Sequence, residues 1–299
     1  MMAFFDSKAW MDILDFPHQG RAEKPRQTGL TMVIDKGLGL TDTRDLMELA
    51  SDYIDYVKLT FGTSAFYNTR LLRQKIELVK SYGVEIFPGG TFLELALLQG
   101  RIIQFLDRAR DLGFTGIEVS DGTINIDRET RWNTIRLARA YGFDLVVSEV
   151  GKKDPRDEVT DYPLWEQVNH DLEAGSDIVI VEGRESGRGV VIYDDQGNVI
   201  PDEVETMVSH VSDSSRLLWE APQKKQQQTL IMRFGPNVNL GNIQPHDVLA
   251  LEALRVGLRG DTLRHYYLTV AGLKEPVRWP KPAADIPATD LVDSSESKT

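Results

Sequence analysis

The feature that most constrains this chain is a join that recurs four times: an amphipathic helix, a glycine, then an apolar run rich in β-branched residues. The joins read "KSYGVEIFPGG", "RDLGFTGIEVSDG", "RAYGFDLVVSEVG" and "LEAGSDIVIVEGRE". Gly83, Gly113, Gly142 and Gly175 stand just past the helix, where a left-handed residue ends it. Successive glycines are spaced by about 30 residues, the length of one strand–helix unit. Apolar residues at i, i+3 and i+4 predict helices over 66–82, 92–112, 128–141 and 163–174. Outside these, strands are expected at 30–35, 56–60, 216–221 and 236–243, with helices near 43–52, 201–213, 223–233 and 245–258. Strands and helices alternate eight times, which predicts an α/β fold of the (β/α)8 TIM barrel type with parallel strands. A doubly wound open sheet would want a glycine fingerprint after the first strand, and "DKGLGLTD" lacks that spacing.

Residues 26–279 are expected to form this single barrel, residues 1–25 an N-terminal extension with a short helix around "KAWMDILDF", and residues 280–299 a disordered acidic tail. The 299 residues suffice for one large barrel, and 41% apolar against 27% charged residues matches a globular core. No apolar run approaches the about 18–20 residues that cross a bilayer, so no membrane partner is expected. A net charge of −12 argues against nucleic acid, whose phosphates need a basic face. The chain has no cysteine, which excludes disulfides, thiolate metal sites and a cysteine nucleophile, and fits a cytoplasmic location. His18, His170, His210, His246 and His265 end none of the strands, which argues against a histidine zinc site or a Ser-His-Asp triad.

Parallel barrels carry their chemistry at the C-terminal ends of their strands. Glu149, Glu182 and Glu220 end strands 5, 6 and 7, and Asp35 ends strand 1. Carboxylates converging on one rim repel unless a cation or proton intervenes. Such hard oxygen donors suit Mg²⁺; the alternative is that each pairs with a barrel lysine or arginine. Glu118 on strand 4 can point into the barrel as well. Lys36, Lys58 and Lys152 supply positive charge as Schiff-base nucleophile, proton donor or anion clamp, while Lys153 is expected to face solvent. Ser120 and the "PGGT" turn with Gly89 and Gly90 are substrate-binding candidates. So is the "NLGNI" turn with Asn239, Gly241 and Asn242, where barrels hold phosphate. The glycine-rich loop "EGRESGRG" is expected to be mobile and to close over an anion through Arg184 and Arg188. "QKKQQQ" reads as a polar helix face.

The segments "KPRQTGLTMVIDKGLG", "DYVKLTFGTS", "FPGGTFLE", "SEVGKK", "VEGRESGRG" and "WEAPQKKQQQTLIMRFGPNVNLGNI" together resemble the phosphosulfolactate synthase family, from Lys24 to Arg259. The resemblance implies a homo-oligomeric, Mg²⁺-dependent barrel lyase. It implies addition of sulfite to phosphoenolpyruvate, giving (2R)-3-phosphosulfolactate for coenzyme M or sulfolactate formation. For that reaction Lys152 is the expected general acid, with Lys58 and Lys36 as electrostatic partners or rivals. Glu149, Glu182, Glu220 and Asp35 would then be metal ligands, and Arg184, Arg188 and the Gly241–Asn242 turn would bind anions. Two alternatives stay open: the non-catalytic role of a plant heat-stress-associated relative, and a different barrel lyase or aldolase acting on a phosphorylated enol or keto acid.

Overall fold

The computed structural model describes residues 8–11, 13–153, 162–270 and 272. Its strands are β1 (Thr31–Asp35), β2 (Tyr56–Leu59), β3 (Glu85–Pro88), β4 (Gly116–Ser120), β5 (Leu145–Val150), β6 (Ile178–Val181), β7 (Leu217–Glu220) and β8 (Leu240–Ile243). They form one parallel sheet in the order β3-β2-β1-β8-β7-β6-β5-β4. Its two ends meet just before β4, where Thr115 N–H donates to the Ile86 carbonyl at 3.1 Å and Ile86 N–H to Thr115 Oγ1 at 2.8 Å. The sheet is therefore a nearly closed (β/α)8 barrel.

Ten α-helices lie among the described residues: α1 (Leu40–Ala50), α2 (Thr69–Lys80), α3 (Gly90–Leu98), α4 (Ile102–Leu112), α5 (Arg128–Ala140), α6 (Leu164–Ala174), α7 (Pro201–His210), α8 (Lys224–Phe234), α9 (Val248–Arg255) and α10 (Gly260–His265). The four glycines at the recurrent join all adopt positive φ, between 66° and 116°, as the pattern requires. The helix expected over 92–112 is two helices, α3 and α4, because Gly100 turns left-handed at φ 63° between them. The strand expected over 236–243 begins only at Leu240. In the extension, the described residues make single turns, such as Leu14 N–H to Trp10 O, rather than a helix. The tail expected at 280–299 lies outside the described residues, and among those residues no helix is long and apolar enough to cross a membrane.

Alternation along the strands sorts side chains into two layers. Leu30, Met32, Phe87, Leu145, Val147, Ile178, Ile180 and Leu218 fill the barrel interior. A larger cluster, including Val33, Val57, Ile86, Val146, Val179 and Trp219, packs outward against the helices. One step further along the inward face, toward the C-terminal rim, apolar residues give way to Lys58, Glu118, Glu149, Glu182 and Glu220, all buried.

Candidate active site

The rim is built by period-two geometry: Tyr56 and Lys58 share a face, as do Leu145, Val147 and Glu149, then Ile178, Ile180 and Glu182, then Leu218 and Glu220. Lys58 Nζ stands at the centre, 2.7 Å from Glu149 Oε2, 2.9 Å from Glu118 Oε2 and 3.4 Å from Glu220 Oε1. A second ammonium comes from Lys153, 3.1 Å from Glu149 Oε1 and 3.7 Å from Glu182 Oε2, and it donates to Thr91 Oγ1 at 3.0 Å. Backbone amides fix the carboxylates from the other side. Gly90 N–H donates to Glu118 Oε1 at 2.7 Å, Gly183 N–H to Glu220 Oε2 at 3.0 Å, and Arg184 N–H to Glu182 Oε1 at 2.6 Å.

Four buried carboxylates thus share two ammonium groups, and their acidities separate accordingly. Burial, with the charges of Glu149 and Glu220, pushes Glu182 well above the carboxylate range. Burial lifts Glu118 to about 7 against the pull of Lys58, and lifts Glu220 in the same sense. Burial opposes ionisation of Glu149 too, but Lys153 and Lys58 prevail and hold it well below its ordinary value. Both lysines are raised, because the neighbouring carboxylates outweigh the cost of burying an ammonium.

Glu149, Glu182 and Glu220 each offer an oxygen, and the three atoms lie within 4.8 Å of one another. Two oxygens on this side, Glu149 Oε1 and Glu182 Oε2, are buried and, among the described residues, have only the Lys153 ion pairs to satisfy them. Hard, partly unsatisfied oxygens in one small volume fit a divalent cation such as Mg²⁺.

The other sequence-derived candidates are placed differently. Lys152 does not face the carboxylates: its Nζ donates to the carbonyls of Asp121 at 2.6 Å and Ile124 at 3.3 Å. Lys153, expected at the surface, is the inward one, since Gly151 (φ 112°) turns the chain after β5 and strand alternation stops there. Lys36 pairs with Glu185 across the mouth of the barrel, outside the cluster. Asp35 points outward to Lys75 of α2 and accepts the amides of Gly37 and Leu38, so it is not among the converging carboxylates. Ser120 donates to Glu94 Oε1 at 2.5 Å. The amides of Gly89 and Gly90 are already taken, by Leu59 O and Glu118, so the "PGGT" turn offers neither to a phosphate. Gly90 is there for space: a Cβ would collide with Ser120 and sit 2.7 Å from Glu118 Oε1.

Asn239 lies at the opposite end of the barrel, because β8 starts after it; it accepts from Leu30 N–H and donates to Ser215 O and Leu217 O. Gly241 faces the interior, where a Cβ would come within 2.7 Å of Met32 Cε. Asn242, at φ 55°, does reach the rim and donates to Arg184 O at 3.3 Å. Arg184 is half-buried there and Arg188 is exposed.

The "EGRESGRG" loop is tethered rather than free. Gln226 Nε2 donates to Gly187 O at 2.7 Å and Gln223 Nε2 to Ser186 O at 2.6 Å; just beyond the loop, Tyr193 Oη donates to Glu220 O at 2.7 Å. The "QKKQQQ" segment therefore contributes loop anchors, Gln226 buried and Gln223 half-buried, as well as a polar face.

The sequence shows Thr91 only as the last residue of the "PGGT" turn, and gives Arg131 no role. Arg131, 1% exposed, binds Asp171 at 2.5 Å and Asp121 at 2.8 Å, and donates to Glu149 O at 2.9 Å. Its signal was a charge on the apolar face of α5, in step with Ile135 and Ala138.

A family model for (2R)-phospho-3-sulfolactate synthase matches residues 19–261. The phosphosulfolactate synthase of Methanothermobacter thermautotrophicus is 44% identical over 258 residues, covering 85% of this chain and 98% of its own. The heat-stress-associated protein 32 of Arabidopsis thaliana is 23% identical over 264 residues, covering 80% of this chain and 89% of its own. Among solved structures, the YdjI aldolase of Escherichia coli K12 superposes with a TM-score of 0.50 at 14% identity, over 81% of this chain and 91% of its own, a likeness of fold alone. The extent of the family match and the 44% identity lead to one conclusion: the chain belongs to the (2R)-phospho-3-sulfolactate synthase family.

Proposed function

We propose that this chain is a phosphosulfolactate synthase that adds sulfite to phosphoenolpyruvate at the Lys58–Lys153 carboxylate cluster. The sulfite sulfur bonds to the methylene carbon, the C=C electron pair moves toward the carboxylate, and the carbon bearing the phosphate ester takes up one proton. The observation that carries this reading is the pair of buried oxygens, Glu149 Oε1 and Glu182 Oε2, whose cationic partner on that side is the Lys153 ammonium at 3.1 and 3.7 Å. Mg²⁺ held by Glu149, Glu182 and Glu220 would supply positive charge where the substrate carboxylate gains negative charge. Lys153 is kept protonated by its carboxylate neighbours and is hydrogen-bonded to Thr91, so it is the acid that delivers the proton on one face. Lys58 holds Glu118, Glu149 and Glu220 in register. Arg184 and Asn242 at the rim, and the exposed Arg188 of the same loop as Arg184, would offer donors to the phosphate and sulfite oxygens.

The 44% identity to a synthase supports this reading over the heat-stress role of the relative at 23%. The test is incubation with phosphoenolpyruvate, sulfite and Mg²⁺, following phosphosulfolactate by ³¹P NMR, with chelator and Lys153→Met as controls. Product that needs both the metal and Lys153 is expected. No product, or undiminished turnover by Lys153→Met, would overturn the assignment.

A further inference from the structure

Two adjacent lysines leave β5, and only one reaches the carboxylates. The other is not idle. Lys152 is largely buried, with 15% of its side chain exposed, and its ammonium spans the β4–α5 loop: 2.6 Å to Asp121 O, 3.3 Å to Ile124 O, 3.8 Å to Asp121 Oδ2. Glu94 of α3 grips the same loop from its amide side, accepting Thr123 N–H at 3.0 Å, Ile124 N–H at 2.9 Å and the Ser120 hydroxyl at 2.5 Å. Carbonyls and amides of one short segment are thus bound by opposite charges.

The segment so fixed contains Gly122, and Gly122 is the seat of Lys153. The Lys153 amide donates to Gly122 O at 2.9 Å. The Lys153 stem packs so closely on this glycine that a Cβ there would lie 3.2 Å from Lys153 Cε and 3.3 Å from Cγ. Beyond that seat the chain of Lys153 has only its terminal bonds left to set, and these end at Thr91, Glu149 and Glu182.

We infer that Lys152 is a positioning residue for Lys153: with Glu94 it locks the 121–124 loop, and Gly122 transmits that lock to the second ammonium. The inference rests on the proposed role of Lys153 for its kinetic consequence, and on geometry alone for its structural one. Removing the clamp leaves the acid present but loosely placed, and a displacement of about 1 Å at a reacting group costs on the order of 100-fold in rate.

The experiment compares wild type, Lys152→Met and Lys152→Arg by two readouts. In the kinetic one, Lys152→Met is expected to lower kcat about 10- to 100-fold. KM for phosphoenolpyruvate and the shape of the pH profile stay unchanged, and Lys152→Arg, which can still donate to both carbonyls, recovers most of the rate. In the second, which needs no turnover, hydrogen exchange corrected for intrinsic rates shows the Thr123, Ile124 and Lys153 amides losing protection in Lys152→Met and keeping it in Lys152→Arg. Unchanged protection in Lys152→Met overturns the clamp. Complete loss of turnover in both variants with protection intact also overturns it, because Lys152 would then act on the reacting atoms itself. If wild type makes no phosphosulfolactate, the proposed reaction falls while the exchange result still decides the clamp.

Discussion

Replacing Glu118 with glutamine removes one charge from the cluster while keeping its shape. The amide oxygen can still accept from Gly90 N–H, and Lys58 retains Glu149 and Glu220. In the folded chain Glu118 is lifted from the ordinary 4.5 to about 7, with burial the main cause. A carboxyl that holds its proton more tightly when folded contributes stability that is fully present below its unfolded value. That contribution is lost as pH rises through the folded value. Each unit corresponds to about 1.4 kcal/mol, so this group alone takes away about 3 kcal/mol between pH 4.5 and 7. Glu118→Gln cannot lose it. Glu182 and Glu220 shift in the same sense and Glu149 in the opposite one, but all three are common to both proteins and cancel from the difference to first order. The assay is urea unfolding followed by tryptophan fluorescence at a series of pH values with chelator present. The stability of Glu118→Gln relative to wild type is expected to improve by about 3 kcal/mol from the acid to the neutral end. Parallel curves would refute the placement of Glu118 as a charge strained by burial.

Glu182→Gln should weaken Mg²⁺ binding by roughly tenfold or more, read by calorimetry in the absence of substrate; an unchanged affinity would remove Glu182 from the ligand set. Gly90→Ala forces a Cβ against Ser120 and Glu118 and should cost about 1–3 kcal/mol in unfolding free energy, and a wild-type urea midpoint would show that the α3 N-terminus can move aside. Gln226→Ala leaves the carbonyls of Gly187 and Gly197 without their donor. It should accelerate protease cleavage between residues 183 and 199 and raise KM for the anionic substrates, whereas unaltered cleavage would mean that the loop does not depend on this tether.

The barrel was legible because its signal is repeated: a glycine at each helix end and a β-branched run after it. The carboxylate rim was legible for a simpler reason. Alternation along β5, β6 and β7 carries the inward face from Leu145 and Val147 to Glu149, from Ile178 and Ile180 to Glu182, and from Leu218 to Glu220. The same rule sends Asp35 outward, since Leu30, just before β1, and Met32 within it are inward residues. Asp35 shares the strand-end position of the glutamates but not their parity, so it does not join them. Asn239 was misplaced by a boundary, because a strand drawn from residue 236 puts it near the rim and one that begins at Leu240 puts it at the other end. In sequence the glycines of "PGGT" look like free amide donors, but Glu118 on β4 already uses one of those amides.

Lys153 marks where alternation runs out. Up to Val150 each residue's direction follows from its neighbours two positions away, but at Gly151 the chain takes a positive φ that only the surrounding packing specifies. A Cβ at Gly151 would strike Val191 and come within 3.0 Å of Glu182 Cβ, so the bend is imposed by residues 31 and 40 positions further along. Charge then chooses between the two lysines. An ammonium directed at Glu149 and Glu182 relieves two buried carboxylates, one half-satisfied by Lys58 and the other by the Arg184 amide. One directed at Asp121 O and Ile124 O meets only neutral carbonyls and one carboxylate at 3.8 Å. The stronger electrostatic partner takes the lysine nearer the loop, and the weaker set of acceptors is enough to turn the other into a clamp.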